Sequence, residues 1–276
     1  MPDAAVPAAA PAGAASARDR GTTAEATDAA ALLLALLSIG ETTLAGLPEA
    51  PHVARTAQAC AALGARATRL GEGAWLVAGV GVGGIVAPRA PLAFGSAIGA
   101  ASLVAAIVGA HPISARIVVD GPPTRFAPLA AALAGMGAVL HARDEGGATA
   151  LDVTGPGETA PIVFDAGDGT DAPLLAAAIL LAGLNAPGCV TVVGPDAALD
   201  PMVGLLRRHG ARVSVEARGE RCAVALEGQP ELRVARPAPR GTAHDDDPAR
   251  AGPESTAAQG AAGGAPETGR APEWAS

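Results

Sequence analysis

AAALLLALLSIGETTLAGL, residues Ala29 to Leu47, is the stretch from which the rest of the chain can be read. Its first ten residues, Ala29 to Ser38, carry no charge, which is too short a run to span a bilayer but suits a helix buried on most sides. The helix, about Asp28 to Ser38, stops at Gly40 and leads into a short Thr-rich strand and a turn. A core helix is therefore predicted.

The same order of elements recurs. Leu63-Gly64-Ala65, Met136-Gly137-Ala138 and His209-Gly210-Ala211 each close a helix and open a strand, and the three glycines stand 73 residues apart. Equal spacing over three units marks one element copied twice. Each copy is predicted to hold an apolar helix (about Asp28 to Ser38, Ala97 to Gly109, Ala172 to Ala182) and a strand (Thr42 to Leu44, Ala115 to Val119, Cys189 to Val193). A more amphipathic helix follows at His52 to Leu63, Arg125 to Met136 and Pro201 to His209, and two β segments finish the copy. With a leading strand for each copy, at Ile162 to Phe164 in the third, the fold class is α/β: three βαβαββ repeats. The domain is predicted over residues 22–232, with repeats at about 22–90, 91–155 and 156–232. An Ala/Pro-rich disordered lead (1–21) is expected before it and an aperiodic disordered tail (233–276) after it. The uncharged runs Ala90 to Ala110 and Ala172 to Pro195 fall at the phase of the opening helix, so buried helices are expected there rather than membrane spans.

Composition narrows the function. The 276 residues are 50% hydrophobic but contain no Tyr, so the core must be Ala, Leu, Val and Ile. A net charge of -8 argues against general nucleic-acid binding. All 19 basic side chains are Arg, which excludes any chemistry that depends on a lysine ammonium. The lead lacks the features of a secretory signal, and Cys60, Cys189 and Cys222 read as buried free thiols in a reducing compartment; a cytoplasmic location is expected.

Familiar catalytic patterns fail on inspection. Gly79, Gly81 and Gly84 spell G-x-G-x-x-G after an apparent strand, but Pro88 and Pro91 follow and no helix can open there to meet a pyrophosphate. A turn after a hairpin is the better reading. Walker, H-E-x-x-H and paired C-x-x-C motifs are absent, no Ser lies in G-x-S-x-G, and no metal site or cofactor is expected. His111 reads as a helix cap, His141 and His209 as surface or half-buried imidazoles, and the His244-Asp245-Asp246-Asp247 run as a solvated charge run.

Within the triplicated unit, ALLLALLSIGETTLAGL from Ala31, GVGVGG from Gly79, APLAFG from Ala90, LLAGLNAPG from Leu180 and GQPEL from Gly228 form an ordered set. It resembles EPSP synthase, the 3-phosphoshikimate 1-carboxyvinyltransferase of the shikimate pathway of aromatic amino acid biosynthesis, over about Thr22 to Leu232. UDP-N-acetylglucosamine enolpyruvyl transferase is less similar. The resemblance implies two domains of three repeats each, with helices inside, sheets outside and the active site in the cleft between them. It covers the first domain alone.

The resemblance also locates substrate positions, and most are altered. The family's P-G-D-K-S-x-S-x-R aligns with Thr22 to Ala30, putting Glu25 at the Lys, Ala26 at the Ser and Ala30 at the Arg. Two unit negative charges about 4 Å apart repel by about 4 kcal/mol at an effective dielectric of about 20, so Glu25 opposes an anion there. G-N-S-G-T becomes Gly95-Ser96-Ala97-Ile98-Gly99, and Ser102 replaces a nearby Arg. S-A-Q-V-K becomes Ala172-Pro173-Leu174-Leu175-Ala176, and T-R-D-H-T-E becomes Ala198 to Val203, keeping Asp200. Arg125, in place of the R-P-M arginine, is the one substrate-binding residue carried over; no catalytic residue is. The expectation is an enolpyruvate-transferase-like domain, inactive alone, with a structural or regulatory role. Its expected partner is a second EPSP-synthase-like chain or half, with no nucleic acid, no membrane and an unknown small-molecule ligand; the alternative is the family's own transferase activity.

Overall fold

The structure, a computed structural model, describes residues 17–233, with side chains from residue 24. The first copy comprises α1 (Ala17–Leu37), β1 (Ile39–Leu44), α2 (Pro51–Ala62), β2 (Arg66–Gly71) and β3 (Ala74–Val80). The second has β4 (Leu92–Gly95), α3 (Ile98–Gly109), β5 (Ser114–Asp120), a 3-10 turn (Pro123–Phe126), α4 (Ala127–Ala134), β6 (Val139–Glu145) and β7 (Ala148–Thr154). The third has β8 (Val163–Asp165), α5 (Ala172–Gly183), β9 (Cys189–Pro195), α6 (Asp196–Arg208), β10 (Val213–Arg218) and β11 (Arg221–Glu227).

Helices α1, α3 and α5 pack on one another at the centre, and three sheets surround them. Leu32, Leu33, Leu34, Leu36 and Leu37 are all fully buried, as is every residue from Gly99 to Gly109. Consecutive burial samples every direction around a helix axis, so α3 and the leucine run of α1 have no solvent face. Their sequences permit it because Ala and Gly let neighbouring backbones approach closely while Leu, Ile and Val fill the remaining space.

The sheets repeat the copies. The second has strand order β4-β5-β7-β6 and the third β8-β9-β11-β10; in each the first pair is parallel and the others antiparallel. The first sheet is β1-β3-β2. The βαβαββ order therefore holds for copies two and three, whereas the first copy has no leading strand among the described residues. Two helices also start earlier than predicted. Helix α1 begins at Ala17 instead of about Asp28, and the turns before the leucines are tied to α3 through Glu25 and to α2 through Asp28. Helix α6 begins at Asp196 and carries Pro201 inside it; fully buried Leu199 pins the extra turn against the core.

A second glycine series ties each sheet to its core helix. A Cβ on Gly79 would lie less than 3.0 Å from the Ala35 and Ser38 carbonyl oxygens, and Gly155 and Gly228 meet the His111 and Ala186 carbonyls in the same way. In the Gly79-Gly81-Gly84 run, Gly79 thus serves strand-to-helix packing and Gly84 turns closely against the Val80 carbonyl. The run does not open a helix. Among the described residues, no helix is long and apolar enough to cross a membrane. The lead up to residue 16, the tail from residue 234 and the His244 to Asp247 run lie outside the described residues.

Candidate functional site

The positions singled out by the family resemblance converge at one end of the three core helices. Ala26 and Ala30 of α1 share a small recess with Pro173 of α5 and Met202 of α6. Arg125 shares another with Ser102 of α3 and with Asp171 and Leu174 at the start of α5. Each has room for only about one water, ≈ 20 Å³. The α1/α5/α6 recess is lined almost wholly by aliphatic groups, a consequence of Ala30 and Pro173 standing where the resemblance expects polar ones.

Glu25 has a definite structural role. Its Oε1 accepts the backbone N–H of Ala100 at 2.9 Å, in the first turn of α3. Ala97, the residue preceding that helix, has no side chain with which to cap it. Glu25 supplies the missing acceptor from another helix, and its negative charge lies at the positive end of the helix dipole. Burial raises its pKa above the ordinary carboxylate value, opposed by the Ala100 N–H and by His52. One turn on, Asp28 Oδ2 lies 3.0 Å from His52 Nε2, linking α1 to α2. A carboxylate of the protein itself thus occupies the helix end where an incoming anion would be received.

The remaining residues offer little chemistry. Ser102 donates its hydroxyl hydrogen to Ile98 O at 2.8 Å, turning back on its own helix. Arg125, on the exposed 3-10 turn, forms no ion pair among the described residues. Asp200 is exposed on α6. His111 closes the end of α3 through Nδ1 to Ile107 O at 2.7 Å, with Nε2 2.6 Å from Val82 O.

Two expectations about single residues need correction. His209 is buried, at 4% exposure, because it closes α6 against the end of α1, where its Nδ1 lies 2.9 Å from Ser38 Oγ. Burial, aided by Arg208, pushes its pKa down to about 4. Ser38 already donates to Leu34 O at 2.7 Å, so the imidazole must be the donor in the Ser38 contact. This pair cannot act as nucleophile and base, since the base would have to accept that proton. Cys189 is exposed, in contrast to buried Cys60 and Cys222, because it opens β9 directly after a turn; all three are free. Desolvation raises the Cys60 pKa to about 12, which makes that thiol inert. Among the described residues, no cluster of His, Cys, Asp and Glu is placed to hold a metal ion. No short sequence motif signals the Asp28–His52, Glu25–Ala100 or Ser38–His209 contacts, whose partners lie 24, 75 and 171 residues apart.

The family model of EPSP synthase (3-phosphoshikimate 1-carboxyvinyltransferase) matches residues 25–236. The 3-phosphoshikimate 1-carboxyvinyltransferase of Methylorubrum populi is 41% identical over 210 residues, covering 74% of this chain and 46% of its own length. That of Parvibaculum lavamentivorans is 40% identical over 214 residues, covering 75% and 46%. The chain thus spans about half the length of the curated relatives it matches. Among solved structures, EPSP synthase from Acinetobacter baumannii superposes with a TM-score of 0.65 at 24% identity, over 75% of this chain and 46% of that one. The enolpyruvyl transferase NikO from Streptomyces tendae gives 0.51 at 18%, over 76% and 47%. With helices enclosed by triplicated sheets and a match across nearly all of the described residues, the chain belongs to the EPSP synthase family.

Proposed function

We propose that this is a cytoplasmic EPSP-synthase-family domain that does not transfer enolpyruvate by itself and acts in a structural or regulatory role toward a second chain or half of the same family. The observation that carries this reading is the Glu25 carboxylate hydrogen-bonded to Ala100 N–H at the start of α3. An incoming phosphate or carboxylate would meet a negative charge instead of the lysine that the family resemblance calls for at that position. Ala30 and Pro173 add no hydroxyl, amide or guanidinium nearby. A partner chain cannot readily restore such groups, because the altered positions lie on this domain's own face.

The second reading is 3-phosphoshikimate 1-carboxyvinyltransferase activity, in which phosphoenolpyruvate and 3-phosphoshikimate yield EPSP and phosphate. It is favoured by the name that relatives about 41% identical carry. Incubating the purified full chain with both substrates and measuring phosphate release separates the two. No release above background, and no calorimetric heat on adding 3-phosphoshikimate, is expected; turnover, or binding near micromolar (about -8 kcal/mol), establishes the second reading. The structural role is tested by identifying what co-purifies with the native protein: recovery of a family member supports it, and isolation of the chain alone counts against it.

A further inference from the structure

A groove on a different face lies between α2 and the chain from Val86 to Phe94. Its volume is ≈ 600 Å³, within the range of small-molecule sites. None of the helix-end residues described above lines it. Arg55, Arg89 and Gln58 are its polar side chains, and no Asp or Glu is among its described lining residues.

Several arginines on the sheets are held by carboxylates, as Arg116 is by Asp152 and Arg221 by Asp165. Neither Arg55 nor Arg89 forms an ion pair among the described residues. Arg55 is steered by its own surroundings: one Nη1 hydrogen bonds to Phe94 O, and its guanidinium packs over Gly95, where a Cβ would collide with it. Gly95 takes a φ of 54°, so the turn between β4 and α3 bends around the guanidinium. Among the described residues the Arg55 Nη2 and Nε groups and the whole Arg89 head have no acceptor, which leaves them to serve one from outside. The rest of the lining is apolar, with Leu92 buried and Val86 an exposed hydrophobic at 52%.

We infer that this groove binds a small organic oxyanion, a carboxylate or phosphate ester with an apolar body, which Arg55 and Arg89 hold as a guanidinium pair while the apolar part lies against Val86 and Leu92. Planar guanidinium groups bind both oxyanions through paired N–H donors, and an adjacent apolar wall favours an ester over the free ion. The inference is independent of any activity at the helix ends.

Phenyl phosphate and inorganic phosphate serve as probes, titrated into the full chain while the arginine Nε–H and Gln58 amide signals are followed by NMR. Saturable shifts are expected at Arg55, Arg89 and Gln58, with phenyl phosphate saturating at the lower concentration. R89Q, at an exposed position where folding is not at risk, weakens phenyl phosphate binding about tenfold. R66Q, at an exposed arginine outside the groove, leaves it unchanged. Three results would overturn the assignment: no saturation by about 10 mM, equal response of Arg66 and Arg208, or R89Q binding like the parent. Equal affinity for the two probes would overturn the role of the apolar wall.

Discussion

Ser38 has a single hydroxyl hydrogen, which goes to Leu34 O, so His209 Nδ1–H donates to Ser38 Oγ, and protonating the other ring nitrogen would place a charge in a buried site. The folded-state pKa of His209 is lowered to about 4 from 6.5, which means the unfolded chain binds the proton more readily. Its contribution is full above pH 6.5 and is lost as pH falls through 4; the loss amounts to about 3 kcal/mol. Denaturant unfolding at pH 7.5 and 4.5 should show this slope, and His209→Asn, which keeps an N–H but does not titrate, should flatten it. A steric effect is expected at Gly79. Replacement by Ala should cost about 3 kcal/mol through its clash with two carbonyls. Gly71→Ala, with open space around it, should lie within about 0.5 kcal/mol of the parent. Equal thermal shifts for the two glycine variants would contradict this account.

At the level of elements, α3 depends on α1 for its first turn. Glu25→Ala removes the acceptor for Ala100 N–H and should cost about 1 kcal/mol, whereas Glu25→Gln keeps an oxygen there and should cost less than about 0.5 kcal/mol. Because burial raises the Glu25 pKa, its pH dependence has the opposite sign to that of His209. The folded state takes up the extra proton, and this group's contribution increases as pH falls toward its folded pKa. Chemical denaturation of Glu25→Gln across pH 4 to 7 should therefore lack that component. The two recesses at the helix ends are too small for more than about one water each, so these variants test helix capping and not ligand binding.

The whole molecule closes where the third copy returns to the first. Leu232 O accepts Ile39 N–H at 2.9 Å, Arg233 N–H donates to His209 O at 2.9 Å, and the Leu232 side chain is fully buried. The same joint recurs as Val86 N–H to Leu63 O and Ala160 N–H to Met136 O, so each copy is latched by the chain that follows its hairpin. Leu232→Ala should cost about 3 kcal/mol and speed amide exchange at Ile39; unchanged exchange there would mean the closure does not depend on this side chain. By itself the sequence determined the triplication, the three apolar runs of the core helices and the family, because these depend on composition and regular spacing along the chain. It also raised the expectation of altered substrate positions at the helix ends, which rests on the family resemblance. Tertiary structure alone decided that Glu25 caps α3, that His209 is buried and Cys189 exposed, and that Arg55 and Arg89 share one groove. The physical reason is that burial and partner choice arise from packing between segments distant in sequence, and no local periodicity encodes which of them meet.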